Sequence, residues 1–167
     1  MRLIAVTILA ALGVLVPAGV AAARPNALET ALVRQINSVR AERGLRPLVT
    51  SRQLAASAAQ HTRDMGANGY FDHDSPDASP FWKRIQRWYS SSGWSFWSVG
   101  ENLFCSSDEL SVSHAVSAWL ASRAHRANVL SRTWREIGIS AMQFDSAPGD
   151  FGGKPVTLVT ADFGVRR

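Results

Sequence analysis

Three short polar signatures hold most of the residues with chemical potential in this chain. They are Tyr70-Phe71-Asp72-His73-Asp74-Ser75-Pro76-Asp77, then Gly100-Glu101-Asn102, then Ala124-His125-Arg126-Ala127-Asn128-Val129-Leu130 followed by Glu136-Ile137-Gly138. Each supplies an imidazole, a carboxylate or both. Neutral imidazole is a good ligand for Zn²⁺, and two protein nitrogens leave coordination positions for water or a ligand. A neighbouring carboxylate can orient a ligating histidine or act as a base on bound water. Brought together, His73, His125, Glu101 and Glu136 would form a small polar cleft able to hold Zn²⁺ or another divalent cation, with His73 and His125 as the metal ligands. A catalytic zinc usually has three protein ligands, so two imidazoles predict weak binding more readily than catalysis. The rival expectation is a hydrogen-bonded cluster that only fixes loops.

The other candidates are weaker. His61 falls close to the apolar stripe of a helix and reads as a packed or hydrogen-bonded core residue, and His114 as a surface one. Asp72, Asp74 and Asp77 invite a calcium reading, but Pro76 sits where an alternating ligand belongs, so turn and capping roles are expected. Cys105 is the only cysteine, which excludes an internal disulfide. Its neighbours Leu103 and Phe104 predict burial, which disfavours an activated thiolate. Ser75 lacks the glycine context of a nucleophile elbow.

Positioning these groups requires a scaffold, and 167 residues suffice for one domain. Asn26 caps a first helix running to about Arg43, with Leu28, Leu32, Ile36 and Val39 on its core face and Arg34, Arg40 and Glu42 elsewhere. Ser51 opens a second helix carrying Leu54, Ala55, Ala58 and Met65 and ending near Gly66 or Gly69. Ser79 as cap and Pro80 as first helical residue start a third, with Phe81, Trp82, Ile85 and Trp88 apolar. Ser106 with Glu109 signals a fourth, supported by Leu110, Val112, Val116, Trp119 and Leu120. Ala124–Leu130 reads as a helical turn. Ile137–Phe144 and Val156–Phe163 read as strands joined by a hairpin-type loop, and another strand is expected over Ser98–Phe104. Helices first and strands last predict an α+β domain, an antiparallel sheet covered by helices. Trp82, Trp88, Trp94 and Trp97 lie in one stretch, where core packing or a cleft floor is expected and an exposed platform for sugar rings or acyl chains is the alternative.

Residues 1–23 carry a minimal basic start, an apolar run from Leu3 to about Val16 and small residues at Ala21-Ala22-Ala23, the pattern of a secretory signal peptide cleaved before Arg24. The expectation is a secreted single domain over 24–167 with no transmembrane segment, and a monomer. The net charge of +5 comes from scattered basic residues with no long run, which argues against nucleic acid. A mildly basic surface could favour anionic cell-wall or membrane components.

The ordered set resembles the CAP superfamily (cysteine-rich secretory proteins, antigen 5, pathogenesis-related class 1), in its bacterial SCP-like branch. The resemblance rests on Ile36-Asn37-Ser38-Val39-Arg40-Ala41-Glu42-Arg43-Gly44-Leu45 with Pro47-Leu48, the helix with Leu54-Ala55, His61 and Met65, the three polar signatures, Trp119, and Ala161-Asp162-Phe163-Gly164. It covers about residues 28 to 164. It implies a three-layer α-β-α sandwich with a central antiparallel sheet and an open cleft lined by two histidines and two acids, which in some members binds zinc. Matched by position, these are His73, His125 and Glu101. Eukaryotic members take the fourth group from just after the tryptophan of the fourth helix. Here Leu120, Ala121 and Ser122 follow Trp119, and Glu136 is the available substitute. The implied function is a secreted binding module for a lipid, glycan or peptide. The alternatives are a metal-dependent hydrolase of peptide or cell-wall bonds with Glu101 as base, or a structural protein of the cell surface.

Overall fold

The computed structural model describes residues 26–107 and 109–167; the expected signal peptide lies outside them. The order of elements is α1 (Ala27–Ala41), β1 (Val49–Thr50), α2 (Arg52–Asn68), α3 (Phe81–Trp88), β2 (Trp97–Ser106), α4 (Val112–Ala121), α5 (Arg123–Val129), β3 (Glu136–Ala147) and β4 (Lys154–Arg166). The sheet runs β1-β3-β4-β2, with β4 antiparallel to both long neighbours. A short 3₁₀ turn at Gly149–Phe151 closes the β3–β4 hairpin. The two-residue β1 pairs parallel to β3 and had no signal in the sequence, because two residues carry no periodicity.

Alternation along the strands creates three layers. Ile137, Ile139 and Ala141 of β3 and Val159, Ala161, Phe163 and Val165 of β4 point to one side, where they pack with Leu32, Ile36 and Val39 of α1, Val116 and Trp119 of α4, and Val129 of α5. Leu103 and Leu158 point to the other side, against Met65 of α2. Leu54 of α2 packs there with Ile85 and Tyr89 from α3 and its end. The α-β-α sandwich is therefore present, with both sheet faces covered.

Local chemistry fixes the helix ends. Asn26 and Glu29 form a reciprocal capping box, each bond 2.8 Å long. Ser51 caps α2, and Gly69 ends it with the positive φ of a left-handed cap. Two expected starts move. Pro80 is the cap position of α3, with an extended ψ of 146°, and Phe81 is its first helical residue. Ser111, not Ser106, caps α4, because Ser106 is the last residue of β2. The strand ladder takes its backbone to Thr157 of β4.

Two burial expectations are corrected. Arg40 is buried, with Nη1 donating to Val129 O at 2.8 Å and Ser131 O at 2.9 Å. There it supplies a positive charge to the free carbonyls that end α5. Cys105 is exposed, as the penultimate residue of an edge strand beyond the helices that cover Leu103. Partial desolvation still pushes its thiol pKa up, away from thiolate reactivity.

Candidate functional site

Strand β2 is the outer strand of the sheet, and its Gly100-Glu101-Asn102 signature sends adjacent side chains to opposite faces. Glu101 points under α2 and α3, and Asn102 points toward α5. Gly100 leaves room for α5. A Cβ there would lie 2.8 Å from Asn128 Oδ1 and 2.9 Å from Trp134 Cζ2. Asn128 Nδ2 donates to Glu101 O at 3.0 Å and Asn102 Oδ1 at 2.8 Å, and Asn102 Nδ2 donates to His125 O at 3.0 Å. Two asparagines thus lock the backbone that carries His125 to the strand that carries Glu101.

Glu101 is the centre of the opposite side. Its side chain is wholly buried, and each carboxylate oxygen has a charged or polar partner. His73 Nδ1 donates to Oε1 at 2.8 Å, and Arg84 Nη2 donates to Oε2. Arg84 Nη1 also reaches His73 O at 3.2 Å. Burial works to raise the carboxyl pKa, but His73, Arg84 and His61 together outweigh it and hold the group below its usual value. In return the Glu101 bond raises the pKa of His73 against partial burial. Since Nδ1 is engaged, Nε2 is the remaining nitrogen of a half-exposed ring.

The loop that presents His73 is pinned from below. His61, fully buried on α2, donates Nε2–H to Asp72 O at 2.9 Å. Burial lowers its pKa and favours the neutral ring. Tyr70 donates to Asp64 Oδ2 at 2.8 Å. The loop aspartates serve the backbone: Asp72 accepts from Asp74 N, Asp77 from Ser79 N, and Asp74 from Phe81 N at the start of α3. His61 is therefore a hydrogen-bonded core residue, and the aspartates are turn and capping groups.

His125, half-buried on α5, lies close enough to His73 for the two charges to interact. Burial first, and His73 second, push its pKa down. Its neutral form is the ligating form. Glu136 lies on the same sheet face as Glu101 but two strands away, paired with Gly164, and it accepts from the Tyr89 hydroxyl. No hydrogen bond or ion pair among the described residues joins it to His73, Glu101 or His125. The carboxyl that the sheet sets beside Glu101 is instead Asp162, its register partner on β4.

Asp162 is fully buried beneath α2. Ser57 and the Glu101 carboxyl approach it, yet neither of its oxygens nor Ser57 Oγ makes a well-formed hydrogen bond among the described residues. Burial, then the charge on Glu101, pushes its pKa well above the usual carboxylate value. The folded chain thus holds this proton more tightly than the unfolded chain. The resulting stability is full below the ordinary carboxylate range and is lost as pH rises through the folded pKa. Asp162→Asn removes the titration and keeps the shape. Chemical denaturation should find the variant more stable than the parent at about pH 8, with the gap closing toward about pH 4. A gap independent of pH would contradict this account.

The sequence reading assigned neither Arg84 nor Asp162 a site role, although Asp162 lies in the Ala161-Asp162-Phe163-Gly164 stretch that supports the family resemblance. Arg84 carried a signal: it sits beside Ile85 and three residues after Phe81, within the apolar stripe of α3. Asp162 stands between Ala161 and Phe163 in a strand buried on both faces, where a carboxylate is anomalous. A surface recess of about 530 Å³ lies elsewhere, between Gln60, Asp64 and Asn68 of α2, Tyr70 and Arg87. No group of three or more His, Cys, Asp or Glu side chains among the described residues is arranged to hold a metal. No helix among them is long and apolar enough to cross a membrane.

Comparison with known proteins agrees with this architecture. The chain is 33% identical over 122 residues to the uncharacterized protein YkwD of Bacillus subtilis strain 168, an alignment spanning 72% of this chain and 45% of the relative. An extracellular protein containing an SCP domain from Bacillus anthracis superposes with a TM-score of 0.63 at 26% identity, over 84% of this chain and 40% of that one. An outer surface protein of Borrelia burgdorferi shares the fold with a TM-score of 0.68 at 19% identity, over 84% of this chain and 93% of that one. The chain thus spans under half the length of the two Bacillus proteins. The model of the cysteine-rich secretory protein family, CAP, matches residues 33–160, and with the sandwich fold already described the chain belongs to that family.

Proposed function

We propose that the domain is an extracellular binding module in which His73 and His125 present two imidazoles to a ligand, with a divalent cation such as Zn²⁺ as the bridge. The observation that carries this reading is the commitment of Glu101. Both its oxygens are engaged, by His73 and Arg84, and its side chain is sealed from solvent. A general base needs a free, accessible lone pair within reach of the proton it removes. Glu101 instead orients His73, as a carboxylate behind a ligating imidazole does.

The donor set suits a weakly held cation. His73 Nε2 and the neutral ring of His125 supply the nitrogens. The metal would supply Lewis acidity toward a ligand oxygen, as from a carboxylate, phosphate or sugar hydroxyl. The two partners have unequal supports. His73 is held by a buried ion pair, and His125 by the two asparagines through its backbone. The extracellular setting is supported by the signal-like residues 1–23 and by the similarity to an extracellular SCP-domain protein. The ligand class is a lipid, glycan or peptide carrying such oxygens. Calorimetric titration with Zn²⁺ tests the reading. One site is expected, and it should vanish when both histidines become alanine.

A further inference from the structure

We propose that a second surface, formed by the α3–β2 connection and the end of β4, docks on the headgroup layer of an anionic lipid membrane. It shares no residue with the histidine cleft and does not depend on the function proposed for it. Trp88, Trp94 and Phe96 are exposed there, at 42%, 47% and 38%. Their positions are fixed from the sides. Gln53 and Gln60 are seven residues apart on α2 and so lie on one face of it. Gln60 Oε1 accepts from Trp88 Nε1 at 2.7 Å, and Gln53 Oε1 accepts from Arg166 Nη2. Trp88 and Arg166 are thereby set along the same helix stripe. Phe96 and Arg167 exchange two backbone bonds, of 2.8 and 3.0 Å, which tie the connection to the end of β4.

The chemistry of the surface selects its partner. The Arg166 guanidinium lies 4.1 Å from the Tyr89 ring centre and 5.3 Å from that of Trp94. The Arg167 guanidinium lies 4.6 Å from the Phe96 ring centre. A stacked sugar needs a bare ring face, and on Trp94 and Phe96 one face is already covered by a cation. A bilayer interface uses ring and cation together: tryptophan settles at the headgroup level, and arginine meets the phosphates. The charges beside the exposed rings are basic: Arg166 and Arg167 from β4, with the exposed Lys83 and Arg87 in residues 78–100, a stretch that has four tryptophans and no acidic residue. Arg84 is buried against Glu101 and adds no surface charge, and the acids near Arg87 are Asp64 and Asp77 in the recess beside it. Glu136, which reaches Tyr89 from the sheet side, is bonded to its hydroxyl.

The test is co-sedimentation of the chain from Arg24 with vesicles of phosphatidylcholine alone and of phosphatidylcholine mixed with phosphatidylglycerol. Residues 1–23 are omitted because their apolar run would bind lipid by itself. Binding to the mixed vesicles is expected, with little to the neutral ones and a decline as salt rises. The Trp94→Ala/Phe96→Ala variant should bind about tenfold more weakly, and Arg166→Gln/Arg167→Gln about as much so. His73→Ala/His125→Ala should bind as the parent does, which separates this surface from the cleft. Equal binding by parent and both surface variants would overturn the proposal, as would equal binding to neutral vesicles. Failure to bind vesicles, with variant-sensitive binding to a soluble glycan, would assign the surface to sugar and also overturn it.

Discussion

Arg84→Met should destabilise the domain by about 3–5 kcal/mol, the usual cost of removing one partner from a buried ion pair. The loss arises on the partner that stays. Glu101 is wholly buried, and without the guanidinium it keeps only the His73 bond while facing Asp162, a second carboxyl, across the β2–β4 ladder. The Arg84 contact to His73 O is lost as well, loosening the loop that carries the imidazole. The effect has a pH signature. The depressed pKa of Glu101 contributes stability that is present above the unfolded carboxylate value and lost as pH falls through the folded one. Without Arg84 that decline should begin at higher pH. Urea unfolding at about pH 7 and pH 5 measures both effects. Combining Arg84→Met with Glu101→Gln should recover part of the loss, since the stranded charge is gone. A single-variant cost under about 1 kcal/mol would instead describe a surface pair and contradict this account.

Gly138→Ala is expected to have an effect as large, by a steric route. Gly138 of β3 pairs with Asp162, and α2 crosses directly above it. An added Cβ would lie 2.0 Å from Ala55 N and 2.2 Å from Leu54 C. These are backbone atoms in the first turn of α2, so no side-chain rotation relieves the clash. The helix must lift, and it carries Ser57 and His61, which lie over Asp162 and under the His73 loop. The cost should exceed the roughly 1–3 kcal/mol of ordinary overpacking. Gly164→Ala is the comparison. Its Cβ would meet side-chain atoms of Tyr89 and Leu54 at 2.9 and 3.1 Å, which can shift. Thermal unfolding should therefore rank Gly138→Ala well below Gly164→Ala, and similar midpoints would refute the close approach of α2.

Much of this arrangement is legible in the sequence. The helix periodicities located α1, α2 and α3, and the polar signatures named His73 and Glu101, which the fold joins by a hydrogen bond, because short motifs report local chemistry. What escaped was long-range compensation. Arg84 stands out in the sequence only as a basic residue within the apolar stripe of α3, and its partner becomes apparent only when Glu101 is folded beneath it. Asp162 looks like a strand residue until α2 closes over it. The same limit explains Cys105, whose apolar neighbours gave no hint that the helix cover ends before it. It explains the tryptophans too: Trp97 is half-buried with its Nε1 bonded to Tyr89 O, whereas Trp82, Trp88 and Trp94 remain exposed. Burial of a tryptophan depends on which element arrives above it. Helix starts failed where two capping signals competed, as with Ser106 and Ser111, and strand pairing decided between them.

The central claim is that His73 and His125, 52 positions apart in the chain, act as one ligand pair. Isothermal calorimetry with Zn²⁺ on the chain from Arg24 tests it most directly, using the parent, each single alanine variant and the double variant. The account predicts one site in the parent, sharply weakened by either substitution and absent in the double variant, with every variant still cooperatively folded. His73→Ala also lowers the unfolding midpoint, because Glu101 Oε1 loses its partner, whereas His125→Ala leaves it nearly unchanged. Zinc binding that survives in the double variant, or no binding by the well-folded parent, would contradict it and leave the imidazoles as parts of the loop framework.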